Sequence, residues 1–295
     1  MKTLLGVLAI AVVSSARGQL LNTVTSIDRI DAPAHAPQTI AEAVGAHPRV
    51  RASVVTLDVH DTAFIIPVAG NTAGSNGTYF RSDVSIANFR SATQRFGVGW
   101  LAQGSNNASS PLQYFTIPAN TVANLNDFVG ATLGKTGLGG LFIEGVDAAG
   151  ALDSNASMDA FSRIWTQEPT VNGITINGTV SQNFDAVSLD DSIGSLTAYI
   201  IGLKQSTAFR TNVGIVNLDT VQHTWTIRSA ITGASSTVTV LPFSISQTSA
   251  PAGSADSGGN VALTLNSDGS GFNWTAYGSS SDNVTGDGWI SRAKQ

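Results

Sequence analysis

The stretch FRSDVSIANF at residues 80–89 returns as FRTNVGIVNL at residues 209–218. Phe, Arg, Val, Ile and Asn keep their places, and the remaining swaps are mild. A line written twice limits the fold more than any composition does, because one structural unit must be built twice. Read with a period of two, Phe80, Ser82, Val84, Ile86 and Asn88 share one face of a strand, and Arg81, Asp83, Ser85 and Ala87 share the other. Phe, Val and Ile are then expected to bury against a second sheet. Asn88 and Asn217 fall where the chain turns, and an Asn side chain there can satisfy backbone groups of the turn. Arg81 and Arg210 point the other way, toward solvent or a nearby carboxylate.

The echo extends to both sides. AFIIPV (63–68) answers AYIIGL (198–203), and Phe96 and Val98 answer Trp225 and Ile227. FTIP (115–118) answers VLP (240–242), GLFIEG (140–145) answers NVALTL (260–265), and DAFS (159–162) answers TAYG (275–278). Six matched segments in one order predict a duplicated module, spanning 51–190 and 191–295. Each copy is expected to hold six or seven short antiparallel strands. The simplest packing is all-β, two tandem two-sheet sandwiches of the immunoglobulin-like type, with a jelly roll or one fused sandwich as alternatives. The copies differ in one join: NDFVGATL (126–133) reads as a short helix capped by Asn126 and stopped by Gly134, where the second copy has the loop SAPAGSADSGG. Residues 166–196 link the copies.

Ahead of the repeat, Lys2, an apolar run from Leu4 to Val13, and small residues with Ala16 and Gly18 as cleavage positions form the layout of a secretory signal peptide over 1–18. Residues 19–50 read as a leader. Only Thr39–Val44, stopped by Gly45, has helical character, and Pro33, Pro37 and Pro48 break up the rest. The β-pattern begins at Arg51 and runs through Val54, Val55, Leu57 and Val59. The expectation is an exported protein, secreted, at the cell surface or in the periplasm, with no membrane insertion once the signal is removed. A hydrophobic content of 42% implies a packed core even though only 12% of residues are charged. With no cysteine, disulfides and thiol nucleophiles are both excluded. A net charge of −5 without a Lys/Arg cluster argues against nucleic-acid binding.

The segments FIIPVAG and GTYFRSDVSIAN, then SRIWT and GTVSQNFDAV, then FRTNVGIVNL and AYGSSSDNVTGDGWI, resemble those of uncharacterised secreted bacterial proteins from acidobacteria-like genomes built on the same tandem β-domain. The likeness runs from about residue 63 to 290. It implies an exported, surface-associated β-sandwich protein and carries over no catalytic residue.

Chemistry-bearing patterns are few. DNVTGDG (282–288) is the most motif-like, and Asp282 and Asp287 are the candidate Ca²⁺ ligands, although Asp and Gly after a strand more often make a turn and the spacing fits no EF-hand. Asp58, His60 and Asp61 pack carboxylates around an imidazole but read as a solvated strand end. His35, His47 and His223 lie far away in sequence. No G-x-S-x-G elbow is present. Glu144 faces outward with no evident partner for glycosidase work. Among five tryptophans, Trp100 and Trp225 read as core, while Trp165 and Trp289 sit near strand ends and are the candidates for sugar stacking. Sequons at Asn76, Asn107, Asn155, Asn177, Asn273 and Asn283 are expected from composition, and glycosylation is not predicted. Together these features imply no enzyme and no cofactor. They point to surface structure, adhesion or assembly, with the chain itself or a surface polysaccharide as partner. A carbohydrate-binding protein is the alternative, and a secreted hydrolase comes after it.

Overall fold

The computed structural model describes residues 21–47, 62–74, 77–168 and 178–295. Two short strands, β1 (Asn22–Val24) and β2 (Asp28–Ile30), precede the helix α1 (Ile40–Ala46). Then come β3 (Ala63–Ala73), β4 (Tyr79–Asn88), β5 (Gln94–Ala102), β6 (Gln113–Ile117), β7 (Thr121–Leu125), β8 (Gly137–Val146), β9 (Met158–Gln167) and β10 (Thr179–Asp185). The two-residue β11 (Val187–Ser188) returns to pair with β3. A second run follows: β12 (Thr197–Lys204), β13 (Phe209–Asn217), β14 (His223–Ser229), β15 (Ser235–Val240), β16 (Ser244–Ser249), β17 (Asn260–Ser267), β18 (Trp274–Asp282) and β19 (Gly288–Arg292).

The pairing repeats with the sequence. In the first half the ladders run β7-β4-β9-β10 and β3-β8-β5-β6, joined where β3 and β4 pair at their hairpin end. In the second they run β16-β13-β18-β19 and β12-β17-β14-β15. These are the same two sheets, strand for strand. The fold is therefore all-β, with eight strands in each half rather than six or seven. In an immunoglobulin sandwich the first strand lies beside the second in the ABED sheet. Here the first strand of each half lies beside the sixth for most of its length. The two-sheet packing is as expected, but the strand order is a different one.

Local chemistry accounts for most of this. The strand β4 alternates as its sequence demands, with Val84, Ile86 and Asn88 buried and Arg81, Asp83 and Ser85 half-exposed. Its inner face packs with Phe96, Val98, Phe115, Ile143 and Phe128 in one continuous core. The second core gathers Val213, Ile215, Trp225, Ile227, Leu263, Leu265 and Trp274. NDFVGATL forms a five-residue π-turn, Phe128–Thr132, rather than an α-helix capped by Asn126. Asp127 enters it at φ 46° without a side-chain cap, and Gly134 leaves at φ 64°.

Three of the matched segments shift once pairing is seen. Ile66 lies opposite Leu141 and Ile200 opposite Leu263, and each ladder carries a bulge directly after that pair. The structural counterpart of Phe64 is therefore Ala198 and not Tyr199. Phe64 is 1% exposed and Tyr199 is 51% exposed, as a one-residue slip requires. FTIP and VLP shift by one as well, since Phe96 faces Phe115 and Trp225 faces Val238. GLFIEG matches ALTLNS two residues on, which preserves the buried face.

The leader packs onto the first half. Thr39 caps α1 by accepting from the Glu42 N–H, and Ile40 and Ala43 are fully buried. Burying an Ile side chain contributes about 2 kcal/mol. Ile40 can lie that low because β5 presents Gly99: a Cβ built there would stand 2.7 Å from Ile40 Cγ1. The same outer face of the β3-β8-β5-β6 sheet also receives the second half. Ile245 sits over Gly140, and Val216, Leu218, Phe243 and Tyr277 join the first core. The four sheets therefore stack, with the β3-β8-β5-β6 and β16-β13-β18-β19 sheets inside. In β3, β8 and β18 both faces are buried as a result.

Candidate functional site

Trp165 lies on the outer face of the first sheet, directly across from Arg81 on β4. The Arg81 guanidinium stands 4.9 Å from the Tyr79 ring centroid and 5.9 Å from that of Trp165, and Arg163 stands 5.7 Å from Trp165. Arg163 Nη1 approaches Asp83 at 3.6 Å and Arg81 Nε approaches Asp127 at 3.9 Å. The result is a half-exposed strip of alternating cation, carboxylate and ring. The Trp165 indole N–H is buried without a hydrogen-bond partner, whereas Tyr79 is 40% exposed. Guanidinium groups attend both rings, so the strip is a polar surface and not a bare stacking platform.

Trp289, 38% exposed on β19, is held differently. Its indole N–H donates to the Gly202 carbonyl at 2.7 Å, and its ring meets Phe209 edge-on at 5.9 Å. The neighbouring loop uses its carboxylates on itself. Asp282 Oδ1 accepts from Val284 N at 2.7 Å and Thr285 N at 2.9 Å, and Asp287 Oδ1 accepts from Gly288 N. The N–H groups of Thr285 and Val284 hold the Asp282 carboxyl below the usual carboxylate range. Among the described residues no cluster of three metal-ligating side chains occurs. Asp58, His60 and Asp61 lie outside the described residues.

Glu144 corrects the sequence reading. Its side chain does leave the sandwich core, but the leader covers it and the residue is 1% exposed. His47, at the end of α1, places Nε2 3.1 Å from Glu144 Oε2. The other oxygen, Oε1, is buried without a partner. Tyr114 donates its hydroxyl to the Pro37 carbonyl, and burial, together with Glu144 and Glu42, pushes its ionisation well above the usual range. This is a buried polar seam between leader and sheet.

Two further clusters escaped the sequence reading although the repeat marks them. Just past the repeated motif, Arg90 Nη1 bonds Gln94 Oε1 at 2.7 Å and Asp153 Oδ2 at 2.5 Å. Burial works against the Asp153 carboxylate, but the Asn155 N–H, Arg90 and Gln94 outweigh it and keep the group below its ordinary value. At the corresponding corner of the second half stand Asp219 and His223. His223 lies between Asp219 Oδ2 at 3.0 Å and Asp268 Oδ1 at 2.7 Å, and stacks on Phe272 at 3.7 Å. Burial likewise opposes the Asp219 carboxylate, and His223 with the Thr220 N–H outweighs it. Each cluster ties the turn after the motif strand to a distant loop. The charges have been exchanged while the corner has been kept.

Between the halves a cleft of about 190 Å³ is lined by Phe184, Asp185, Tyr277, Ile290 and Arg292 among others. Ligand pockets typically reach about 300 Å³ or more. The sequon residue Asn107 works at this junction: buried, it donates its amide to the carbonyls of Ala102, Ser105 and Phe243. The stack has two outermost faces. One carries the Trp165 strip. The other, on β12-β17-β14-β15, presents Tyr199, Thr264, Thr226, Arg228, Thr237 and Thr239. No model of a known protein family matches the chain, and no curated protein matches it.

Proposed function

We propose that this is a non-catalytic exported protein that acts through its surfaces, in surface structure, adhesion or assembly. The observation that carries the reading is where the polar chemistry goes. Glu144, Asp153, Asp219 and His223 each engage a structural partner, and the two outermost sheet faces carry the Trp165 strip and a set of threonines. Outer sheet faces offer area for contact with another surface.

Retention of the purified chain on cell-envelope or extracellular-polymer preparations, without release of soluble products, is the expected result. Turnover of any member of a panel of glycan, peptide and ester substrates would overturn it. The Trp165 strip favours a second reading, carbohydrate binding, because ring faces and guanidinium donors side by side suit sugar hydroxyls. That reading requires quenching of tryptophan fluorescence by a polysaccharide, lost in Trp165→Ala, and a blank glycan array removes it.

A further inference from the structure

We propose that the free edge of β15 pairs with β15 of a second copy of this chain. The two copies would form one continuous sheet of eight strands about a two-fold axis.

The two halves of the chain supply the comparison. In the first half, the strand equivalent to β15 is β6, and its outer edge is occupied: β2 of the leader adds to it antiparallel, with Asp28 opposite Thr116 and Ile30 opposite Tyr114. The edge of β7 is likewise occupied by β1, with Asn22 opposite Thr121. The second half follows the first through a short connection and has no leader of its own. Of its other edges, that of β12 is met by the chain's own C-terminal residues. Tyr199 on β12 bridges to Lys294 of the C-terminal residues. Gln182 on β10 bonds Ser279 and Ser281 side chain to side chain on the face of β18, while the edge strand β19 pairs with β18 alone among the described residues. Ser244, at the start of β16, ties that strand to β5 by donating its hydroxyl to the Ala102 carbonyl, and β16 pairs with β13 alone among the described residues. Among the described residues, β15 pairs with β14 alone.

The sequence of that edge is unguarded. Ser235–Val240 reads SSTVTV, with no charge, no proline and no bulge in its ladder to β14. These are the devices by which natural edge strands are normally protected. Ser235, Thr237 and Thr239 are exposed while Val238 and Val240 turn inward, so an added strand would extend both the polar face and the core. Thr224 and Thr239 already meet across β14 and β15 with hydroxyls 2.9 Å apart, the kind of cross-strand pair a threonine edge can repeat. A second β15 is the occupant that fits best. An antiparallel pair of identical edges is self-complementary and closes at two, and neither strand brings a charge to the seam.

The inference deepens the surface reading above and rests on it only in assigning the protein's work to its surfaces. Its test therefore reads self-association alone. Sedimentation and light scattering of the full chain should give twice the chain mass, and the double variant Thr237→Lys/Thr239→Lys should return the mass to that of one chain, with unchanged circular dichroism. In a chain without native cysteine, Thr237→Cys should form a covalent dimer on mild oxidation. A monomer at the highest soluble concentration would overturn the proposal. So would a dimer that survives the double substitution and fails to cross-link. Either outcome leaves envelope retention to be judged by its own measurement.

Discussion

Replacing Asn88 or Asn217 by Ala tests what the repeated motif is for. Asn88 donates its amide to the carbonyls of Ala92 at 2.9 Å, Ile117 at 3.4 Å and Pro118 at 2.8 Å, and accepts from the Arg90 N–H at 3.0 Å. Asn217 repeats the set with Val221 at 2.8 Å, Val240 and Leu241 at 3.2 Å, and the Asp219 N–H at 3.0 Å. Both side chains are fully buried, so the orphaned carbonyls have little access to replacement water. At about 1 kcal/mol net per bond, less for the longest, each deletion should cost about 3 kcal/mol. The two sites share no partner, so the losses should add in the double variant. Asn→Asp should cost more at neutral pH, because a carboxylate oxygen then faces three carbonyls, and the excess should shrink once acid protonates it. Urea denaturation followed by fluorescence of the buried Trp100, Trp225 and Trp274 measures the loss. A loss below about 1 kcal/mol at either site, or a large inequality between them, would refute the clasp as the reason the Asn is repeated.

Two further outcomes follow from the same geometry. Phe243 occupies the left-handed turn position, φ 46°, at which the first half has Asn120, φ 49°. Phe243→Asn should relieve about 1 kcal/mol of backbone strain but forfeit about 3–5 kcal/mol of buried ring, for a net destabilisation in urea; a gain in stability would show that the strain outweighs the burial of the ring. His47→Ala should strand the buried Glu144 carboxylate at a cost of about 3 kcal/mol and speed amide exchange across Ile40–Ala46, whereas Glu144→Gln should cost much less; equal losses would mean the charge is not what His47 answers.

Much of the architecture was legible where a strand has one buried face. The motif strand alternates in β4, so buried Val84 and Ile86 and the turn Asn88 could be read from the sequence, whereas the motif Phe, expected in the core, is only half-buried as Phe80 and as Phe209. The leader helix was legible because Thr39 caps its start, although it runs through Gly45, where the sequence suggested a stop, and ends at Ala46. In contrast, the repeat AFIIPV/AYIIGL was aligned one residue out. β3 is covered on both faces and therefore has no alternation to set a register. The corner clusters were half legible: counting along the repeat sets Arg90 against Asp219 and Gln94 against His223, but Asp153 and Asp268 arrive from the far side of the sandwich.

The amino-acid order by itself determined that the unit is duplicated, which face of the motif strand is buried and where its turn is clasped, because these follow from side-chain period and short-range hydrogen bonding. Only the tertiary structure decided that Glu144 is covered, that glycines on β5 and β8 admit the leader and the second half, and that β15 pairs on one side alone among the described residues. Those outcomes depend on which surfaces meet across long stretches of chain. Contact of that kind leaves no mark in local periodicity.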